Sequence, residues 1–297
     1  MAVGRGAVWV ANSGEGTVSR IDPASNRVVA TVRIAPPDAM LALGCSYGTS
    51  AAIHQTPHGS FTIRACDLPR AVAVAPGAVW AAKNDDESIV RIDPATNRIV
   101  ARVSIHANAW YIAATATAVW ISDWNHDLVV HVDPVRNEVV ASIPDLPHGP
   151  SGIAIAGDSV WVANSRADVI TRIDARSGRV AATVPVSHTP LPVAYAYGSI
   201  WVRNAMSEGN GSVSRIDPAS NRVLAEIPVR PVAGRDGLDS LGIAPNGLWV
   251  AGLFLERIDP AQNRVVERRG LTANAVTYGE GSLWLTDIGY SVTRVQA

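Results

Sequence analysis

The sequence predicts an all-β fold, a seven-bladed β-propeller of four-stranded antiparallel blades whose last blade is incomplete. Three observations lead there. An aliphatic–Trp pair recurs seven times, at Val8-Trp9, Val79-Trp80, Val119-Trp120, Val160-Trp161, Ile200-Trp201, Leu248-Trp249 and Leu283-Trp284. Most copies run on into an Arg-Ile-Asp-Pro-x-x-Asn-Arg signature, as at Arg20–Arg27. The repeat length is about 40 residues and contains only short strand-like pieces, which suits one propeller blade per repeat.

Blade four shows how a repeat divides. Apolar residues alternate or run through Gly152–Ala156, Ser159–Asn164, Val169–Asp174 and Arg179–Val184, with turn formers between them. The turn joining the third and fourth strands is almost constant: Asp22–Arg27, Asp93–Arg98, Asp217–Arg222 and Asp259–Arg264 all read Asp-Pro-Ala-x-Asn-Arg. Asp accepts a bond from the backbone two residues on, Pro presets φ, and Asn tolerates the left-handed conformation. In blade four Gly178 takes the Asn place, which answers the same backbone demand. The motif is turn chemistry. The seven Trp share one register on the second strand and are read as filling between blades. The Arg before Ile-Asp recurs at Arg20, Arg91, Arg172, Arg215, Arg257 and Arg294, with His131 in its place in blade three. It is read as structural.

The blades depart from the pattern at particular places. Residues 35–69 are an insertion between blades one and two, within a single domain over 1–297. The Trp-to-Arg spacing lengthens in blade five through Met206–Gly211 and shortens in blade six across Gly252-Leu253-Phe254. Met1 aligns with Val72 inside a blade, and Arg294-Val295-Gln296 matches Arg20-Ile21-Asp22 with no fourth strand after it. The expectation is a monomer or a piece of a longer chain.

Composition narrows the function classes. A formal net charge of −1 and no basic stripe interleaved with aromatics argue against nucleic acid as a partner. No apolar run reaches the roughly 18 residues of a membrane span. Residues 1–15 lack the apolar core of a signal peptide, and Ala7–Asn12 simply match the other repeats.

Irregular connections fall between second and third strands and between one blade and the next, and in a propeller both emerge on the same face, the top. That loop-rich face is the expected working surface. Aligned on their Trp residues, the repeats place there Asp67, His106 beside Ala107, His148, His188 and Asp236, then Arg70, Trp110, Ser151, Asp239 and Asn274. Asn12, Lys83, Asp123, Asn164, Asn204 and Asp287 follow at the end of the second strand. His106, His148, His188 and Asp236 are metal candidates, since imidazoles and a carboxylate converging on a funnel suit a divalent cation. His148, His188 and Asp236 are the candidate catalytic groups for acid–base work. The plain alternative is a set of solvated loop residues. Trp110 and Trp124 fall outside the repeat register and, with Tyr111, read as a stacking platform for a sugar or aromatic ligand, or as a channel plug. Arg70, Asp123, Asp239, Asn274 and Asp287 complete the candidate ligand-binding set.

Cys45 and Cys66 are the only cysteines and lie in the 35–69 insertion. Their separation suits a disulfide stapling a long loop, worth roughly 3 kcal/mol in the chain-entropy picture. That pairing implies an oxidising, extracytoplasmic compartment, secreted or at the cell surface. His54 and His58 lie between them, so a small zinc site of non-standard spacing, or a pair of unlinked thiols, stays open.

Ala7-Val8-Trp9-Val10-Ala11-Asn12 followed by Val18-Ser19-Arg20-Ile21-Asp22-Pro23 resembles the YVTN-type propeller repeats of bacterial surface and secreted proteins. The chain also resembles the virginiamycin B lyase group of seven-bladed propellers, and Gly149-Pro150-Ser151-Gly152-Ile153-Ala154 is similar to their blade entry. The likeness implies the fold across nearly the whole chain. Those repeats commonly place Glu at the blade end, where this chain has Asn12, Asn164 and Asn204, so no catalytic role carries over. Two function classes follow. One is a non-catalytic extracytoplasmic binding or sensor module that takes a protein, carbohydrate or small molecule on its top face. The other is a metal-dependent lyase or lactone-active enzyme.

Overall fold

The computed structural model describes residues 1–12, 15–35, 70–83, 87–205, 211–230, 241–286 and 291–297 in full, and 51–56 and 59–64 by backbone alone. Six antiparallel sheets of four strands and a seventh of three follow one another along the chain. Blade one comprises Ala2–Gly4, Ala7–Asn12, Thr17–Asp22 and Arg27–Arg33. Blade seven has only Ala275–Gly279, Ser282–Thr286 and Val292–Val295. In every blade the strands pair in sequence order as a meander. Between blades one and two, Ala51–Thr56 and Gly59–Arg64 form a separate hairpin. The described residues contain no helix.

The seven repeat Trp side chains are fully buried, none more than 1% exposed. Each packs forward onto the next blade. Trp80 lies with Val119, Ile121 and Val130 of blade three, and Trp161 with Ile200, Val202 and Ile216 of blade five. Trp284 of blade seven packs on Val8 and Ile21 of blade one. The ring therefore closes through the same contact that joins every other pair of blades.

The recurrent Arg performs a second forward contact on the bottom face. Its guanidinium lies over its own blade's Trp, as with Arg172 5.5 Å from the Trp161 ring centroid. It then reaches the next blade's Asp-Pro turn. Arg172 donates to Pro218 O at 2.9 Å and Asn221 Oδ1 at 3.1 Å. Arg20 reaches Pro94 and Asn97, Arg91 reaches Pro134 and Asn137, and Arg215 reaches Pro260 and Asn263. Arg294 donates to Pro23 O at 2.7 Å across the closure. The receiving turns are fixed locally. Asn26, Asn97, Asn137, Asn221 and Asn263 all take positive φ, as does Gly178. The turn Asp residues accept bonds from the backbone and hydroxyls that follow, which hold carboxyls such as Asp217 and Asp93 below the ordinary range.

One joint lacks this latch on both sides at once. Blade three has His131 where the others have Arg, and blade four has Ala175 and Gly178 where the others have Pro and Asn. His131 stacks flat on Trp120, with centroids 4.1 Å apart and planes 6° apart, so it keeps the Arg's place over the ring without reaching across. Burial holds its imidazole pKa below the usual value. Arg257 of blade six turns back to Glu267 and to Asn246 O of its own blade.

Candidate ligand-binding face

The top face is organised by three irregular first strands. In blades three, four and five the first strand carries a bulge, between Ala109 and Tyr111, Pro150 and Ile153, and Pro190 and Val193. A bulge leaves a residue out of the ladder and re-aims its side chain. In blade three that residue is Trp110. In blade four it includes Ser151, whose one hydroxyl proton is shared between Ala163 O and Pro190 O of blade five. Ser122 Oγ in turn donates to Ser151 O at 2.6 Å. Blades three to five are thus stitched together by buried hydroxyls where their first strands begin.

Trp110 and Trp124 come together as expected. Their ring centroids lie 4.9 Å apart with planes tilted by 34°. Two guanidiniums flank them: Arg70 of blade two has its central carbon 3.3 Å from the Trp110 centroid, and Arg166 of blade four lies 3.5 Å from that of Trp124. A guanidinium so close to one ring leaves no room on that side for the neighbouring indole. Each Trp therefore has a cation on one face and the other Trp on the opposite face. The result is a four-layer ladder, Arg70–Trp110–Trp124–Arg166, drawn from three blades. The Trp124 indole N–H donates to Ser165 Oγ at 2.8 Å, and Ser165 Oγ donates to Gly149 O. A Cβ on Gly149 would lie 2.9 Å from Ser165 Oγ, 3.0 Å from Trp124 Nε1 and 3.1 Å from Arg166 Cγ, so only glycine fits beneath the end of the ladder.

The carboxylates around the ladder are committed. Asp123 is fully buried. One of its oxygens accepts from the Asn125 and His126 amides, and the other from the Asn108 amide and His126 Nδ1. That hydrogen bond, with the carboxylate charge, raises the His126 pKa. Asp127 accepts the Gly149 amide and pairs with His148 Nδ1 at 2.6 Å. One blade on, Asp168 accepts the Thr189 amide and pairs with His188 Nδ1 at 2.6 Å. Both Asp residues hold the positive-φ position of the second-to-third strand turn, taken by Gly16 in blade one and Glu87 in blade two. His148 and His188 are repeat-related, solvent-exposed on their own blades, and each oriented by its own carboxylate.

His106 lies exposed at a positive φ beside buried Ala107. Asn274 continues the blade-seven ladder through its amide to Thr286 O. Asp236, Asp239, Asp287, Cys45 and Cys66 lie outside the described residues. Among the described residues no three His, Cys, Asp or Glu side chains come together as a group able to hold a metal ion. Arg166, His126, Asp127 and Asp168 were not singled out in the sequence. The two Asp residues carried a signal, because a carboxylate recurs at a turn position held by Gly in blade one. Arg166 carried none.

No protein-family model matches the chain, and no curated protein matches it in sequence. Solved structures do. The chain is similar to Kuenenia stuttgartiensis hydrazine synthase at a TM-score of 0.72 and 13% identity, over 98% of this chain and 92% of that one. It is similar to a streptogramin B lyase at 0.70 and 15%, over 99% and 90%. It also matches the computationally designed Ika8 protein at 0.65 and 9%, over 100% and 95%. The streptogramin B lyase likeness agrees with the resemblance seen in the repeats. All three establish the propeller architecture, and architecture of this kind serves unrelated activities.

Proposed function

We propose that this protein is a non-catalytic binding or sensor propeller that works outside the cytoplasm and engages its ligand on the top face of blades two to four. The observation that carries the reading is the Arg70–Trp110–Trp124–Arg166 ladder, where side chains from three blades depart together from the repeat pattern. Everything repeat-locked is accounted for by turns, latches and core. The ladder is not. A screen of immobilised carbohydrates, peptides and small molecules tests it, read on the intact chain and on Trp124→Ala. The expected result is a ligand retained by the first and lost by the second, at matched thermal stability. A ligand held equally by both places the working surface elsewhere.

The extracytoplasmic part rests on Cys45 and Cys66 as a disulfide closing the inserted loop. The intact mass of unreduced protein, compared with the reduced and alkylated form, should show both thiols absent. Two free thiols after preparation in air would remove the compartment argument.

The metal-dependent lyase reading has one observation of its own. His148 and His188 each present an exposed imidazole oriented at Nδ1 by a carboxylate, the arrangement that positions a general base. The described residues supply no third donor near either ring, so a metal site would need a further ligand such as Asp236. Elemental mass spectrometry on protein purified without chelator, repeated on His148→Ala, separates the readings. Near-stoichiometric metal that disappears in the variant would favour the lyase.

A further inference from the structure

We infer that the ladder is a receptor for an oxyanion, a carboxylate or phosphate group, and not a stacking platform for a sugar or a flat ring. This rests on the binding reading above and gives its ligand class. The first reason is steric. Trp110 is sandwiched between Arg70 and Trp124, and Trp124 between Trp110 and Arg166, so neither indole has a ring face left to offer. A sugar or aromatic ligand that needs an open π-face finds none.

The second reason is what the ladder presents instead. A guanidinium laid flat on an indole keeps its N–H donors in the plane of the group, pointing outward, and its rotamer is already restricted. Such a group meets a carboxylate or phosphate edge-on through paired hydrogen bonds, and loses little entropy in doing so. Arg166 is solvent-exposed, and among the described residues no carboxylate lies within ion-pairing distance of it. The carboxylates that could compete are occupied, Asp123 by three amides and His126, Asp127 by an amide and His148. The Arg166 amide donates to His148 O, which ties the turn carrying Arg166 to the loop that enters blade four.

The third reason is how the stack is held. Ser165 fixes Trp124 by its indole N–H, and the absent side chain of Gly149 leaves room for Trp124, Ser165 and Arg166 to close on one another. The Arg166 end of the ladder is therefore set by contacts with two loops of blade four, and does not wait for a ligand to order it.

Isothermal titration calorimetry of the intact chain tests the inference with succinate, inorganic phosphate and neutral cellohexaose, at about 20 and about 150 mM salt. The expected result is binding of succinate or phosphate that weakens with salt, with their relative affinity deciding between carboxylate and phosphate. Arg166→Ala should lose at least about tenfold in that affinity, and Arg166→Lys should restore only part, because an ammonium cannot donate as a planar pair. Thermal melts of both variants should match the intact chain. Anion affinity unchanged in Arg166→Ala overturns the assignment. Binding of cellohexaose that depends on Trp124, without anion binding, overturns the oxyanion while leaving a binding face. No binding of either kind, and no ligand lost by Trp124→Ala in the wider screen, sinks both.

Discussion

On the bottom face one blade repeats the next: an Asp-capped turn, a left-handed Asn, and an Arg that lies on its own Trp and grips the following turn. On the top face blades two, three and four each contribute something the others lack, Arg70, then Trp110 with Trp124, then Arg166. The two meet at one joint. Blades three and four have no Arg latch below, because His131, Ala175 and Gly178 stand in for all three of its members. Above, the same joint is bridged by Trp124 with Ser165 and Arg166, and by Ser122 with Ser151. Where the repeat's own fastening is missing, non-repeated contacts hold the blades. Uniformity marks what most joints share, and departure at this joint both fastens two blades and leaves Arg166 exposed.

The comparison breaks most visibly on two tryptophans. Trp161 is buried between blades four and five, so Trp161→Ala should cost roughly 3–5 kcal/mol through lost burial and a residual cavity. Trp124→Ala, at a partly exposed inner layer of the ladder, should cost no more than about 1 kcal/mol and act on binding. Urea unfolding midpoints at constant slope measure both. Equal losses at the two sites would mean that the ladder is structural and the division of faces is wrong.

Removing one latch should have an intermediate effect. Arg172→Ala deletes two hydrogen bonds to blade five and leaves Pro218 O and Asn221 Oδ1 without their donor, for a loss of about 1–3 kcal/mol. Arg172→Lys should recover little, since one ammonium cannot both lie flat on Trp161 and span two acceptors. Full recovery by Lys would reduce the latch to simple charge placement.

Building a latch where none exists sharpens the comparison further. The double change His131→Arg and Gly178→Asn supplies the donor and the side-chain acceptor of the latched joints, while Ala175 keeps both its carbonyl and the amide that donates to Asp158 O. It should raise stability by about 1 kcal/mol. Hydrogen exchange would then slow at Val180 and its neighbours on the fourth strand of blade four. No change in either reading would mean that the top-face contacts already hold this joint as firmly as a latch.

Much of this is legible in the sequence alone. The Trp register, the Asp-Pro turns and the incomplete seventh blade follow from periodicity and turn chemistry, because repetition averages away the ambiguity of any single strand. The missing latch was also written in the chain, as His131 against Ala175 and Gly178, although its meaning needs to know that Arg reaches into the next blade. The pairing of Trp110 with Trp124 was visible as two aromatics out of register. The guanidiniums that cap them were less so. Arg166 is one arginine among many, and no local pattern says that its side chain folds back over a ring in the preceding blade. The His–Asp pairs join a turn to a loop about 20 residues on, a separation that carries no signature.

The smallest effect concerns pH at the unlatched joint. His131 is half-buried against Trp120, and burial disfavours its charged form, so its folded pKa lies below the ordinary value of about 6.5. As pH falls through that ordinary value the unfolded chain takes up the proton first. Stability from neutral His131 is therefore complete above about pH 7 and declines as pH drops through 6.5 toward the folded pKa. His126 is shifted the other way by Asp123, so a bare pH titration of the protein mixes the two. Comparison with His131→Phe, which keeps a flat ring on Trp120 and cannot titrate, isolates the term. The difference in melting temperature between the two should be constant from about pH 8 to 7, and should then move against the histidine protein as acid is added. A difference that stays flat to pH 5 would show that the joint opens far enough to hydrate the imidazolium, and that blades three and four part more readily than their packed side chains suggest.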